Sequence, residues 1–290
     1  MRKIIILIPV YNDWESLKKL IEEINENIKS FNQINFECLI INDASTIQQP
    51  DITKPSKFDL MEILNMKLNR GHARCNAFGI RYIFKNKKFD NLILMDGDGE
   101  DRPAEIKSLV DKIRENPNKS VVAKRVKRSE GLIFQMLYQS HKLITIFFTG
   151  KNINFGNYSI LTKEDVEKLY SKASLWSSFS GSVKKHVKSF NEINSIRGLR
   201  YYGPSQMSLL MLIIHSLSII AVFKYQVFLR STLIIIALTY LNSFLGNFLI
   251  FFQILIVIFN LVIFIVSKRE REKDLLNSHK NLDEVKKITH

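Results

Sequence analysis

Along the first two hundred residues, short unbroken apolar runs alternate with stretches in which apolar residues recur every three or four positions. Lys3 to Val10 is a continuous β-branched run and reads as a buried strand. Asp13 to Ile28 places Trp14, Leu17, Leu20, Ile21, Ile24 and Ile28 on one helical face. Phe36 to Asn42 predicts a second strand, Met61 to Leu68 a short third, His72 to Lys85 a helix, and Asn91 to Met95 a strand that ends in Asp96. A helix over Pro103 to Asn116, a strand over Lys119 to Ala123 and an apolar helix from about Gly131 to Phe148 follow, whereas residues 152–200 are mixed. Repeated strand–helix units call for a mostly parallel sheet covered by helices on both faces, an α/β fold. In such sheets ligands bind beyond the carboxyl ends of the strands. The polar clusters Tyr11-Asn12-Asp13, Asn42-Asp43 and Asp96-Gly97-Asp98 all fall there.

Beyond Arg200 the pattern changes. Met207 to Phe223 is apolar with Ser208, His215 and Ser216 on one face and Ser205 nearby, the signature of a helix lying in a membrane interface. Residues 231–267 carry no charge, and 37 residues are too many for one span but suit two helices joined at Ser243 to Asn247. Lys224 and Arg230 precede this hairpin, and Lys268, Arg269, Arg271 and Lys273 follow it, so the positive-inside rule places both ends, and with them both termini, in the cytoplasm of a multi-pass inner-membrane protein. The division that results is a catalytic domain over 1–203, an interfacial helix over 204–224, a hairpin over 225–267 and a basic tail over 268–290. Met1-Arg2-Lys3 before Ile4 to Ile8 is too short, and lacks the small-residue site, for a signal peptide.

Charge narrows the partners. A net charge of +14 implies an anionic partner, and the hydrophobic C-terminus favours a phosphorylated substrate or anionic membrane lipids over nucleic acid, for which no stacking motif accompanies the basic residues. Cys38 and Cys75 are too few and too far apart for a disulfide scaffold or a cysteine zinc site, and read as small buried hydrophobes.

The strongest chemical signal is Leu92-Ile93-Leu94-Met95-Asp96-Gly97-Asp98, a strand ending in two carboxylates one residue apart. Carboxylate oxygens so spaced suit Mg²⁺ or Mn²⁺, hard ions that share their coordination with substrate phosphates. Alone, the pair also fits a solvated turn, and Glu100 and Asp101 fit helix N-terminal charges ahead of Pro103. Ile8-Pro9-Val10-Tyr11-Asn12-Asp13, Ile41-Asn42-Asp43-Ala44-Ser45 and the segment from Leu68 to Gly79 precede it in order, each at a strand end or helix start.

In these ordered motifs the chain resembles the inverting glycosyltransferases of family 2, with the GT-A-like nucleotide-diphospho-sugar transferase fold. With the hydrophobic hairpin behind the motifs it resembles the branch of dolichol-phosphate-mannose synthases and bacterial polyprenyl-phosphate glycosyltransferases. The resemblance covers residues 3–223. It implies that Pro9, Tyr11 and Asp13 line the base and ribose pocket and that Asp43 holds the nucleoside of a nucleotide-diphospho-sugar donor. It implies that Gly71, Arg74 and Asn76 approach the diphosphate, and that Asp96 and Asp98 hold the metal. His72 lies within the third motif and fits equally a cap or surface residue. Where the family often has two acids this chain has Asn42-Asp43. Where the polyprenyl branch commonly has an aspartate and an arginine it has Asn157 and Ser159.

The acceptor is read from the basic residues. Lys124-Arg125-Val126-Lys127-Arg128 follows a strand, and Arg197-Gly198-Leu199-Arg200 leads towards the interfacial segment, so Arg125 and Arg200 are candidates to clamp either the phosphate of a lipid acceptor, here a polyprenyl phosphate, or the leaving diphosphate. Attraction to anionic lipid alone also accounts for such residues. A polyprenyl monophosphate is already ionised near neutral pH and needs no strong base. A hydroxyl on a lipid-linked or surface saccharide would need one, and Asp101 is the candidate. An inactive membrane-anchored sugar-nucleotide binder is the reading from outside the enzymes, and a homo-oligomer is compatible with either.

Overall fold

The computed structural model describes residues 1–127, 132–204 and 208–289. Arg128, the expected helix start at Gly131, and 205–207 lie outside the described residues. Strand β1 (Arg2–Val10) is followed by α1 (Trp14–Ile28), β2 (Ile34–Asn42), β3 (Phe58–Met66), α2 (His72–Asn86), β4 (Asn91–Leu94), α3 (Ile106–Glu115), β5 (Val121–Lys127) and α4 (Leu132–Thr149). The mixed stretch resolves into β6 (Phe155–Thr162), α5 (Lys163–Leu169), α6 (Phe179–His186) and β7 (Asn191–Ile196). Four helices, α7 (Leu209–Ala221), α8 (Lys224–Leu245), α9 (Phe248–Ser267) and α10 (Glu272–Leu276), precede a last strand, β8 (Leu282–Ile288).

All eight strands form one sheet in the order β7-β5-β6-β4-β1-β2-β3-β8. Its centre, β4-β1-β2-β3, is parallel. Strands β6 and β8 run against their neighbours β4, β5 and β3. Successive side chains of a strand point to opposite faces, and β1 divides accordingly: Ile4, Ile6 and Ile8 join the core under α1 and α3, while Ile5 and Leu7 join the one under α2 and α6. Burial on both faces is why β1 reads as an unbroken apolar run. The third strand begins at Phe58, ahead of the expected Met61, and β5 runs on through Lys124 and Arg125, so the basic cluster is strand rather than the loop after one.

The C-terminal segment departs from expectation. Residues 268–290 are not a free basic tail: α10 buries Leu275 fully in the core beneath α2, and β8 pairs with β3 from Met61 opposite Ile288 to Met66 opposite Leu282. The sheet therefore does not close before Arg200, and the globular unit spans 1–203 together with 272–288. Alternation is weak in Leu-Asp-Glu-Val-Lys-Lys-Ile because β8 is an edge strand with most side chains in solvent.

Among the described residues α9 alone is long and apolar enough to cross a membrane, and α7 with α8 meets that criterion only as a pair bent by 83°. The helix before the break at Gly246 begins at Lys224 and includes Arg230, whose guanidinium donates to the carbonyl of Phe147 at 2.9 Å and so satisfies the C-terminal end of α4. The end of α7 is anchored in the globular core through Ile219, Val222 and Phe223.

Candidate active site

Because β1, β2 and β4 are parallel and in register, their carboxyl ends open on one edge. After β1 the chain turns at Asn12, whose φ of 52° lies in the left-handed region, and the turn is fastened to the loop after β2. The Asn12 side-chain oxygen accepts from the amides of Thr46 and Ile47 at 2.8 and 3.0 Å. Tyr11 is left exposed beside it, and Pro9 closes the strand with its carbonyl against Gly97. Asp43 is buried, with both carboxylate oxygens accepting backbone amides, Arg70 at 2.9 Å and Gly71 at 2.7 Å. Burial pushes its pKa up despite those two bonds. It thus shapes the loop that enters α2 at Gly71, whose φ is +88°.

The loop after β4 carries three carboxyls in three environments. Asp96 Oδ1 accepts from Asn157 Nδ2 at 3.1 Å and lies 3.1 Å from His72 Nε2. Burial opposes ionisation there, but His72, Arg125 and Asn157 together hold the carboxyl well below the usual range. Asp98 accepts the Glu100 amide at 3.0 Å and pairs with Arg200 Nη1 at 3.1 Å. Burial, then Asp96 and Glu100, push its pKa up to about 6 against the pull of Arg200. Asp101 is buried, accepts the Asp96 amide at 3.0 Å and faces Arg125 Nη2 at 3.8 Å. Burial and the negative Asp96 raise it to about 7.

A segment from far along the chain covers this loop. Gly198 donates its amide to the Glu100 carbonyl at 2.8 Å and Tyr201 to that of Asp98 at 3.0 Å, while the Tyr201 hydroxyl donates to Glu23 on α1 at 2.5 Å. Arg197 pairs with Glu100, and Arg200 bridges Asp13 and Asp98. The structure thus brings Asp13, Asp96, Asp98, Asp101, Arg125 and Arg200 together. Lys124, by contrast, points to a surface pair with Glu192 at 3.7 Å.

Two further residues join the site without having been assigned to it from sequence. His72 Nε2 meets Asn157 Nδ2 at 2.7 Å and Asn76 Nδ2 at 3.1 Å, so His72 and Asn157 together orient Asp96. Asn157 sits where β6 crosses the end of β4, a long-range pairing that no local pattern announces. Asn76 is one helical turn from His72 and shares its face. Arg74, two residues on, lies on the other side of α2, with its guanidinium 6.0 Å from the Trp176 ring.

The donor set suits a hard divalent ion: Asp96 and Asp98 offer carboxylate oxygens, and Arg200 seated on Asp98 shows that positive charge is drawn there. No group of three His, Cys, Asp or Glu ligands is present among the described residues, so the remaining coordination would come from donor phosphates and water.

A mycobacterial protein shares the fold with a TM-score of 0.53 and 12% identity over 78% of this chain and 74% of that one. Glucosyl-3-phosphoglycerate synthase from Mycobacterium tuberculosis, solved with Mn²⁺, UDP-glucose and phosphoglyceric acid, matches with a TM-score of 0.51 and 13% identity over 78% and 80%. These likenesses concern the fold. Sequence carries the family: the model of "Glycosyl transferase family 2" matches residues 5–179, from within β1 to the first residue of α6. Spanning the carboxyl ends of β1, β2 and β4, the aspartate loop and Asn157 in one continuous match over more than half of the chain, it makes this protein a member of glycosyl transferase family 2.

Proposed function

We propose that the protein transfers a sugar, with inversion, from a nucleotide-diphospho-sugar to a polyprenyl phosphate at the cytoplasmic face of the inner membrane. One observation carries the reading: the segment that lays Arg200 on Asp98 ends just ahead of α7, so the aspartate site and the apolar helices are joined by a few residues. The division of labour follows. Pro9, Tyr11, Asp13 and the loop held by Asp43 form the donor side, with Gly71 and Asn76 beneath the diphosphate. A divalent ion on Asp96 and Asp98 would supply electrostatic stabilisation of the leaving diphosphate. His72 and Asn157 keep Asp96 turned towards that position. Arg125 and Arg200 offer paired donors to an acceptor phosphate that is already ionised, since its second pKa is about 6. The synthase above, solved with Mn²⁺ and UDP-glucose, makes Mn²⁺ and uridine donors the first to assay.

We read α8 and α9 as a membrane hairpin with α7 in the interface. The supporting argument is topological: the chain leaves the sheet before α7 and rejoins it at β8, so any crossing by α8 is matched by one back through α9. A hydroxyl acceptor is the second reading, favoured by the elevated pKa of Asp101, near the working pH of a general base.

The test is donor and acceptor titration of Arg200→Ala and Asp101→Asn in membranes supplied with radiolabelled nucleotide sugars. For a polyprenyl-phosphate acceptor, Arg200→Ala should lose charge-assisted hydrogen bonds of about 1.5–3 kcal/mol, a fall of about ten- to a hundredfold in acceptor affinity that exceeds the change in donor affinity caused by freeing Asp13 and Asp98. Unchanged acceptor dependence, or no label in the lipid extract with any donor, would remove the lipid-phosphate assignment and leave the family.

A further inference from the structure

The aspartate site does not use the arginines gathered where α9 rejoins the globular unit. Arg269 follows the last turn of α9, its amide donating to the Val266 carbonyl at 3.0 Å, and Arg271 opens α10. From α10, Leu275 reaches into the core beneath α2, so α10 is held against that helix just after Arg271. Arg74, on α2, donates from Nη1 to the Arg70 carbonyl at 2.9 Å, and its guanidinium lies 6.0 Å from the ring of Trp176, in the turn over 173–176 that both α2 and α10 contact. The Nε–H groups of Arg74 and Arg269 are both buried without an acceptor. Three carboxylates lie along the cluster: Asp274 is 3.5 Å from Arg271, Asp43 accepts the Arg70 amide at 2.9 Å, and Glu270 stands between Arg269 and Arg271 in the sequence.

Two ordinary explanations of basic residues fall short here. Positive charge at the C-terminus of a helix, or beside a membrane, accounts for the exposed Lys268 and Lys273 and for Arg271. Neither explains why Arg74, from another part of the chain, is half-buried against the same cluster. Its guanidinium is pushed below its ordinary range by burial first and then by Arg269, Arg271 and Arg70. Guanidinium groups held together against their own repulsion, with donors left over, have the composition of a phosphate site, because arginine binds phosphate through paired N–H groups.

We propose that Arg74 and Arg269, with Arg70 and Arg271 at the rim, form a phosphate-binding site at the junction of α2, α9 and α10, separate from the aspartate loop. A bilayer phospholipid headgroup and a free phosphate share this chemistry, and the two are separable. Bound phosphate would pin the end of α9 to α2 and so set the spacing between the apolar helices and the sheet.

The experiment uses the full chain in detergent, without donor or metal, titrated with inorganic phosphate at constant ionic strength and read by thermal unfolding. The wild type should show saturable stabilisation. Arg74→Gln with Arg269→Gln should weaken it by about tenfold or more, the loss of a charge-assisted hydrogen bond. Lys18→Gln with Lys107→Gln, exposed residues on α1 and α3 beneath the other face of the sheet, should match wild type. If the arginine pair does not elute as a folded protein, Arg269→Lys is read by the same criterion, because it keeps the charge and loses the fork. Nanodiscs then separate the sources. If discs containing phosphatidylglycerol abolish the phosphate effect that phosphatidylcholine discs preserve, a headgroup occupies the site; if both preserve it, free phosphate does. No saturable effect in the wild type, no loss in the arginine variant, or an equal loss in the lysine control overturns the proposal. Since no turnover is measured, that outcome leaves the transferase reading untouched.

Discussion

Three carboxyls within six residues, Asp96, Asp98 and Asp101, are separated chemically by their neighbours: His72 and Asn157 at the first, Arg200 at the second, a backbone amide and Arg125 at the third. Asp98→Ala should lower turnover by about a hundredfold or more, the scale seen when a group that stabilises developing charge is removed. The accompanying loss of Mn²⁺ binding is readable by electron paramagnetic resonance, and retained binding would count against the metal role. His72→Ala should weaken Mn²⁺ about ten- to a hundredfold while leaving the fold intact, because Asp96 loses the partner that orients it. His186 tests electrostatics away from the site. Burial, then Lys185 and Lys172, push its pKa down to about 4, and its Nε2 meets Ser174 Oγ at 3.1 Å. The unfolded chain takes up this proton near pH 6.5 and the folded one only near 4, so the histidine's contribution is present above pH 6.5 and fades as pH falls towards 4. His186→Gln should therefore flatten the fall in stability between pH 7.5 and 5 in urea titrations; an unchanged slope would refute it.

Between elements, two contacts decide how the site is closed. The aspartate loop turns at Gly99, whose φ is +88°, and a Cβ there would run into the Tyr201 ring. Gly99→Ala should both strain the turn, by about 1–2 kcal/mol, and push the 197–201 segment off the loop. Loss of protection of that segment in hydrogen exchange, together with reduced turnover, is the expected result. The second contact is the return of the chain as α10 and β8. Leu275→Ala empties a fully buried position and should cost about 2–5 kcal/mol, read as a lowered unfolding midpoint of the detergent-solubilised protein. Deleting 277–290 strips the edge strand from β3 and should do more damage, exposing unpaired backbone and favouring aggregation.

For the whole molecule, pairing of β8 with β3 ties residues on both sides of the α8–α9 hairpin to one sheet. With the two native cysteines buried, single cysteines at Lys29 and Lys287 should react with a membrane-impermeant reagent from the same side, and one at Asn247 from the opposite side. Labelling of all three from one side would turn the hairpin into a pair of helices lying on the membrane.

The parts legible in the sequence are those whose physics is local. A strand buried on both faces must be apolar throughout, as Ile4 to Ile8 are; a half-buried helix must repeat every three to four residues, as α1 does; a strand end that meets ligand must turn polar, as Asn42-Asp43 and Asp96-Gly97-Asp98 do. Arg125 and Arg200 are legible as members of two basic clusters, and an uncharged stretch of 37 residues excludes an ordinary globular surface. What tertiary structure alone decided depends on pairing between distant segments. Asn157 reaches Asp96 because β6 runs antiparallel to β4, and Arg200 reaches Asp98 because residues 197–201 fold back over the loop. The polar, charged β8 is a strand only because the edge of β3 supplies its hydrogen bonds, and α10 packs on α2 only because Leu275 is drawn into the core. None of these leaves a periodic trace, since each is stabilised by partners dozens to hundreds of residues away rather than by its own neighbours.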